Sequence, residues 1–148
     1  MSIRKMLLVF GGLMVLLSAD LLAAERTVNG KGVAFDPVVV FPEPGDTITF
    51  RNMATHFVES IKIPDGAEKM VSDMGADYAY TASKPGVYFY KCPPHWGARM
   101  GGLIIVGDAG NLIETLNVYK EEIDDKTSKG FLKKIVKKIE KGDIEVPK

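Results

Sequence analysis

Short apolar segments separated by proline and glycine occupy residues 38–107, and this pattern limits the possible fold more than any other feature of the chain. Val38 to Phe41 is an unbroken apolar run that suits a strand buried on both faces, and Pro42, Pro44 and Gly45 end it. Further strands are predicted at Thr47 to Phe50, around Tyr78 and Tyr80, at Val87 to Tyr90 and at Leu103 to Val106. The pattern predicts a mainly β fold, a sandwich or a barrel.

The apolar pattern changes period after Gly107. One set of apolar residues falls on a single helical face, and a second set further along does the same: Leu112, Leu116, Tyr119 and Ile123, then Phe131, Leu132, Ile135, Val136 and Ile139. A spacing of three and four residues is typical of a helix that buries one face. Two C-terminal helices are therefore expected to pack against the β-sandwich.

The N-terminal segment has the features of a secretory signal. Arg4 and Lys5 precede an apolar run from Met6 to Leu17, and Ala23 and Ala24 offer small residues for cleavage. An uncleaved N-terminal anchor is the alternative, because Asp20 interrupts the apolar stretch. We predict a signal at residues 1–24, a β-sandwich at 25–108 and a helical extension at 109–148, with export to the periplasm.

The charge of the predicted mature chain is nearly balanced. The whole chain has 19 Lys plus Arg and 19 Asp plus Glu, and residues 1–24 remove two cations and one anion, leaving about 17 against 18. This balance argues against nucleic acid as a main partner. Eight of the lysines lie in residues 126–148, so the tail is basic and the body before it is acidic. A solvated helix face is one interpretation of these lysines, and a positive patch is the other.

The segment between the last two predicted strands carries the most informative side chains. It runs from Cys92 to Met100 and places a thiolate, the imidazole of His95 and a thioether within nine residues. The single cysteine cannot form an internal disulfide, so an exported chain must bury it, pair it with another chain or bind it to a metal. Two histidines and one cysteine with a weak axial methionine are the ligands of a blue-copper site.

His56, the one other histidine of the chain, follows the predicted strand that ends at Phe50. We therefore predict a copper site formed by His56, Cys92, His95 and Met100. Pro93 and Pro94 restrict the backbone next to the cysteine, and a stiff loop limits rearrangement when copper changes its oxidation state.

Three other interpretations of these residues stay open at this point. Cys92 could be an inert buried thiol, which is a common fate of a free cysteine. Cys92 and His95 could act as a nucleophile and a base, although no third orienting group lies nearby in the sequence. Zinc also binds histidine and cysteine, but structural zinc sites do not use a thioether as the fourth ligand.

Several segments resemble the cupredoxins, and among them the pseudoazurins. Gly45 to Phe50 is similar to the strand that leads to the first copper histidine, and Val58 to Lys69 is similar to the segment that follows it. The C-x-x-H-x-x-x-x-M spacing from Cys92 to Met100 also matches, as do two helices after Gly107. The resemblance extends over nearly the whole predicted mature chain.

The resemblance implies a Greek-key β-sandwich with His56, Cys92 and His95 as equatorial ligands and Met100 as the axial one. It also implies a monomer with one type 1 copper ion that exchanges single electrons through the exposed edge of His95. The implied partners are transient redox proteins such as nitrite reductase, another periplasmic reductase or dehydrogenase, or a cytochrome, with no catalysis by this chain and no membrane contact once the signal is removed. A copper storage, delivery or tolerance protein is the alternative.

Two residues depart from the family pattern. Phe57 stands where pseudoazurins carry an asparagine whose side chain ties the two ligand loops together, and Pro93 replaces a residue with a hydroxyl. Fewer hydrogen-bond donors then surround the ligands, so the reduction potential cannot be transferred from the family. Trp96 could be exposed beside His95 or could be an ordinary packed residue, and Arg99 supplies a cation nearby.

Overall fold

The structure is a computed structural model that describes residues 24–108 and 111–147. It contains β1 (Glu25–Lys31), β2 (Ala34–Asp36), β3 (Val39–Val40), β4 (Thr47–Arg51), β5 (Glu59–Lys62), β6 (Tyr78–Thr81), β7 (Gly86–Lys91) and β8 (Gly101–Val106), followed by α1 (Leu112–Glu122) and α2 (Lys126–Glu140). A short 3-10 helix, Pro93–Ala98, connects β7 to β8. The predicted signal at residues 1–24 lies outside the described residues except for Ala24.

The strands form two four-stranded sheets. The first sheet has the order β2-β1-β4-β6 and the second has the order β3-β8-β7-β5. In the first sheet β1 runs parallel to β4, and in the second β3 runs parallel to β8, while the other pairs are antiparallel. Non-consecutive strands are neighbours in both sheets, which is the pattern of chain crossovers between two layers. The predicted β-sandwich with two C-terminal helices is confirmed.

The main core lies between the two sheets. Phe35, Phe50 and Tyr90 pack there edge to face or tilted, with ring centroids 5.2 to 5.9 Å apart. Cys92 and Met100 belong to the same buried cluster. The aromatic interior of the sandwich is therefore continuous with the end of the molecule where the predicted ligands lie.

A second core lies on the outer face of the β3-β8-β7-β5 sheet, where the two helices cover it. Phe89, Leu103 and Ile105 from the sheet pack against helix residues that include Leu116 and Phe131. The Tyr119 hydroxyl also donates a hydrogen bond of 2.9 Å to the Val87 carbonyl. The predicted helical faces are confirmed, since Leu112, Leu116, Tyr119, Phe131, Leu132 and Ile135 are all buried.

The double covering explains the sequences of β7 and β8. All six residues of β8 are buried, and four of the six residues of β7 are buried. A strand with core on both faces needs a continuous apolar run and not an alternating one. Neither helix of the described residues is long and apolar enough to cross a membrane.

Three strands, β1, β2 and β5, lack the apolar runs from which the other strands were predicted. β1 has the sequence ERTVNGK and only one buried residue, Val28, while all four residues of β5 are half-buried. These strands form through pairing with neighbours, β1 with β4 and β5 with β7. Tertiary context decides such strands, because β propensity depends strongly on the position in the sheet.

Candidate metal centre

The segment between β7 and β8 forms a closed loop. The Cys92 N–H donates to the Met100 carbonyl at 2.8 Å, and the Met100 N–H donates to the His95 carbonyl at 3.3 Å. The His95 N–H in turn donates to the Cys92 carbonyl at 3.1 Å. These three backbone bonds link the three predicted ligands of this loop to one another, so their side chains start from adjacent backbone positions.

Local residue preferences account for the shape of this loop. Pro93 and Pro94 stand at the start of the 3-10 helix, where their missing N–H groups cost nothing. The helix ends at Arg99, whose φ of 60° lies in the left-handed region. This turn directs the chain back into β8, and it places Met100 beside Cys92.

His56 reaches the site from a separate loop between β4 and β5. Asn52 begins this loop with a φ of 59°, a left-handed conformation that asparagine tolerates better than most residues. The His56 N–H donates to the Met53 carbonyl at 2.8 Å, and the His56 carbonyl accepts from the Gly75 N–H at 3.0 Å. Both backbone groups of His56 are therefore hydrogen-bonded, which fixes the backbone position from which its side chain extends.

Gly30 on β1 provides the space for the His56 ring. A Cβ added at Gly30 would lie 2.7 Å from His56 Cδ2 and 2.7 Å from the Asn52 carbonyl oxygen. Real Cβ atoms do not approach other heavy atoms so closely, so any larger residue would displace the ring or the loop. Gly30 was not predicted as a site residue, because its segment shows nothing in the sequence that connects it to a histidine 26 positions away.

Three ligand atoms converge at this end of the sandwich. His56 Nδ1 lies 3.2 Å from His95 Nδ1, and Cys92 Sγ lies 3.7 Å from His56 Nδ1 and 3.4 Å from His95 Nδ1. An ion at the centre of a trigonal plane, with metal–N bonds of about 2.0 Å and a metal–S bond of about 2.3 Å, would require sides of about 3.5 Å (N to N) and about 3.7 Å (N to S). The triangle in this structure therefore has the size that one such ion needs.

The chemistry of the three groups also suits a soft transition metal. Cys92 is fully buried and His56 is 5% exposed, whereas His95 is half-buried. Burial, and then the neighbouring His95, lowers the pKa of His56 below its ordinary value of 6.5, which favours the neutral imidazole that a metal requires. A thiolate with two imidazoles selects copper or zinc over hard cations.

Met100 is the one thioether that the loop brings to this site. Its residue is fully buried and lies in the same cluster as Cys92. A thioether ligand favours copper over structural zinc. The donor set therefore fits copper: the structure brings the ligand atoms of His56, Cys92 and His95 together, and the backbone of Met100 is hydrogen-bonded to that of Cys92.

The residues next to the ligands include one contact that the sequence did not reveal. Trp96 is packed and not free on the surface: its ring lies against Phe89 and Phe131, and its Nε1–H donates to Asp125 Oδ2 at 3.1 Å. Asp125 was not predicted to lie near the site. Its position directly before an amphipathic apolar period is typical of a helix N-cap and indicates nothing about a distant loop.

A two-sheet sandwich that carries two histidines, one cysteine and one methionine at one end defines a blue-copper protein of the cupredoxin class. Residues 22–107 match the family model of copper binding proteins, plastocyanin/azurin family. The chain belongs to this family, and within it to the pseudoazurins. The match to this family model and the similarity to curated pseudoazurins support this assignment.

Two curated relatives and one solved structure illustrate the similarity. The chain is 40% identical to pseudoazurin from Paracoccus pantotrophus over 91 residues, which is 60% of this chain and 63% of the relative, slightly under two thirds of its length. It is 37% identical to pseudoazurin from Methylorubrum extorquens over 102 residues, or 66% of this chain and 69% of the relative. The crystal structure of pseudoazurin from Methylobacterium extorquens AM1 matches with a TM-score of 0.65 and 33% identity, covering 78% of this chain and 98% of that one.

Proposed function

We propose that this protein holds one type 1 copper ion with His56, Cys92 and His95 as equatorial ligands and Met100 as the axial ligand. The observation that carries the proposal is the convergence of three ligand atoms, all within 4.8 Å of one another, from two separate loops. Copper, when bound, supplies the chemistry by alternating between Cu(II) and Cu(I) with the gain or loss of one electron. The protein residues hold the ligands in one arrangement for both states.

His95 gives the electron its route to the surface. Cys92 is fully buried and His56 is 5% exposed, while His95 is half-buried. A partner that docks over the His95 edge would lie closer to the ion than one bound at any other ligand. An interface of this kind is small and weak, which allows the rapid exchange of partners that an electron carrier needs.

The start of α2 is a source of positive charge near this surface. Asp125 contacts Trp96, so the exposed Lys126 that follows it lies at the same end of the molecule as the His95 loop. Lys137 and Lys141 lie about 17 and about 23 Å further along the chain from Lys126, at a helical rise of about 1.5 Å per residue. Of the basic tail, Lys126 is thus the cation placed to attract an acidic partner towards His95, and the exposed Asp124 near it, which pairs with Lys129, reduces the local positive charge.

The proposed cellular location rests on the predicted signal and agrees with the burial of the single cysteine. We propose that residues 1–24 direct export to the periplasm, that residues 25–108 form the copper-binding sandwich and that residues 109–148 form its helical extension. A monomer would then exchange electrons with periplasmic redox proteins, with nitrite reductase as the first candidate on the basis of the family resemblance. Cys92 is buried, which protects its free thiol in an oxidising compartment.

The test starts from purified apo-protein titrated with Cu(II). We expect an intense blue thiolate-to-copper absorption with one ion per chain, and its loss in Cys92→Ser and His56→Ala. Met100→Leu should keep the colour but change the reduction potential, because the axial ligand tunes that potential. Met74→Leu is the matched control, since Met74 is 57% exposed and should leave both properties unchanged.

Two results would contradict the proposal. Full blue colour in both Cys92→Ser and His56→Ala would show that the ligand assignment is wrong. Irreversible reduction of the wild-type copper form in cyclic voltammetry would instead favour copper storage or delivery over electron transfer.

Stopped-flow measurement of nitrite reductase reduction by this protein, at increasing ionic strength, tests the proposed partner. Attraction by lysines predicts that the rate of electron transfer falls as the salt concentration rises.

A further inference from the structure

Helix α2 contacts the ligand loop at its very first residues. The Trp96 Nε1–H donates to Asp125 Oδ2 at 3.1 Å across 29 positions of sequence, and Asp125 is the N-cap of α2. The Trp96 ring also packs against Phe131 of the same helix, with centroids 6.1 Å apart. Trp96 directly follows His95, so a contact at Trp96 acts on the backbone that carries this ligand.

Asp125 is held firmly enough to serve as an anchor. Its carboxylate accepts from the Thr127 N–H at 3.2 Å, from the Ser128 N–H at 2.8 Å and from the Ser128 hydroxyl at 2.6 Å. The Ser128 hydroxyl is the first cause that lowers the pKa of Asp125 to about 2. The carboxylate is therefore ionised at neutral pH, and hydrogen bonds to an ionised acceptor are stronger than neutral ones.

A second contact joins α2 to the other end of the loop. The Arg99 guanidinium lies against Gly130, and its nearest atoms would be 3.1 Å from a Cβ at that position. Arg99 is the residue before Met100. Gly101 on β8 makes similar room for Trp96, because a Cβ there would lie 2.8 Å from the indole ring.

The two contacts enclose the part of the loop between His95 and Met100. We propose that Asp125 is a positioning residue for the copper site, which acts through Trp96 to hold the backbone of His95 and Met100 against α2. The role of the C-terminal helices would then extend beyond covering the outer face of the β3-β8-β7-β5 sheet. The N-terminus of α2 would also keep two ligands in place. This inference rests on the proposed ligand assignment, and the experiments below separate the two.

Apo-protein allows a direct measurement of the contact without copper. Trp96 is the single tryptophan of the chain, so one indole N–H signal is expected in a proton NMR spectrum. In Asp125→Asn one neutral amide oxygen must serve hydrogen bonds that two carboxylate oxygens accept, including those that the Ser128 N–H and the indole both make to Oδ2, so the bond to the indole is weakened. We expect the indole hydrogen to exchange with solvent about tenfold faster in this variant, which corresponds to about 1.4 kcal/mol.

The copper form tests whether the contact positions the ligands. Asp125→Asn and Trp96→Phe should each lose copper to an excess chelator about tenfold faster than wild type and should shift the blue absorption band. The double variant should be no worse than Trp96→Phe alone, because both substitutions act on the same interaction. Asn111→Ala is the matched control: it removes the N-cap of α1, and we expect lower stability with unchanged copper release.

Two outcomes overturn the inference and leave the proposed function intact. One is unchanged copper release and absorption in Asp125→Asn and Trp96→Phe, with a loss of stability like that of Asn111→Ala. The other is an indole hydrogen that exchanges equally fast in wild type and Asp125→Asn apo-protein. A wild-type chain that never becomes blue refutes the ligand assignment instead, and the apo-protein measurement distinguishes that failure from the absence of the contact.

Discussion

Replacing Tyr90 with phenylalanine is expected to stabilise the protein. Tyr90 is fully buried between Phe35 and Phe50, with ring centroids 5.3 and 5.2 Å away. Its hydroxyl has no hydrogen-bond partner among the described residues, and it lies directly over Gly102, where no Cβ could fit. Burial also raises the pKa of this hydroxyl, so it stays protonated as a donor without an acceptor.

The size of the effect follows from two opposing contributions. An unsatisfied buried polar group costs about 1 to 3 kcal/mol, which the Tyr90→Phe variant recovers. The oxygen also makes van der Waals contacts with its surroundings, and their loss costs a few tenths of a kcal/mol at about 0.1 to 0.2 kcal/mol each. The net expectation is a gain of about 1 kcal/mol in the free energy of unfolding, or a rise of about 4 °C in Tm.

Tyr88→Phe is the matched control with the opposite sign. Tyr88 is equally buried, but its hydroxyl donates a hydrogen bond of 2.8 Å to the Lys84 carbonyl. Removing that bond should cost about 1 kcal/mol. Urea unfolding of the apo-proteins, with unchanged m-values, measures both variants. If Tyr90→Phe is destabilised as much as Tyr88→Phe, the Tyr90 hydroxyl has a partner and the reasoning is refuted.

Three further predictions follow from other contacts. Gly30→Ala should weaken copper binding at least tenfold, because the new Cβ collides with the His56 ring; a chelator competition that gives wild-type affinity would contradict this. Gly130→Ala should change the free energy of unfolding by less than about 0.5 kcal/mol, as measured by thermal unfolding. Replacing a glycine inside a helix stabilises by up to about 1 kcal/mol, but the new Cβ must displace the Arg99 guanidinium, which offsets this gain. Asp46, whose pKa is lowered from 3.8 chiefly by the hydrogen bond from the Glu43 N–H, should stabilise the protein above about pH 4 and lose this contribution as the pH falls through its lower folded pKa. Unfolding at pH 2 to 5 of wild type and Asp46→Asn checks this, and equal acid sensitivity would contradict it.

The ligand loop could be predicted from the sequence because its parts are local. Cys92, His95 and Met100 lie within nine residues between two apolar runs, and a short connection between paired strands must keep them close together. His56 required a different argument: it was predicted as the remaining histidine and from the resemblance of the segments before and after it to those of the cupredoxins. The apolar runs of β7 and β8 and the helical periods of α1 and α2 were equally informative, because burial imposes those patterns directly.

The contacts that support the site could not be predicted in this way. Gly30 and His56 meet because β1 pairs with β4, and β1 has too few apolar residues to be recognised as a strand. Trp96 and Asp125 are 29 positions apart in the sequence and come into contact because α2 packs on the outer face of the β3-β8-β7-β5 sheet. Such proximity depends on how the strands and helices pack, and no local sequence pattern at these residues indicates it. Trp96 could therefore be interpreted from the sequence either as exposed or as packed.

The covering of β7 and β8 on both faces has a consequence for how the sequence of this protein can evolve. The two strands that carry the ligand loop are held by the interior of the molecule, with all six residues of β8 buried. Substitutions on the outside can then alter which partners are recognised without moving the strands to which the metal ligands are attached. In the proposed function, the surface that binds a partner and the strands that hold the metal ligands can therefore vary separately.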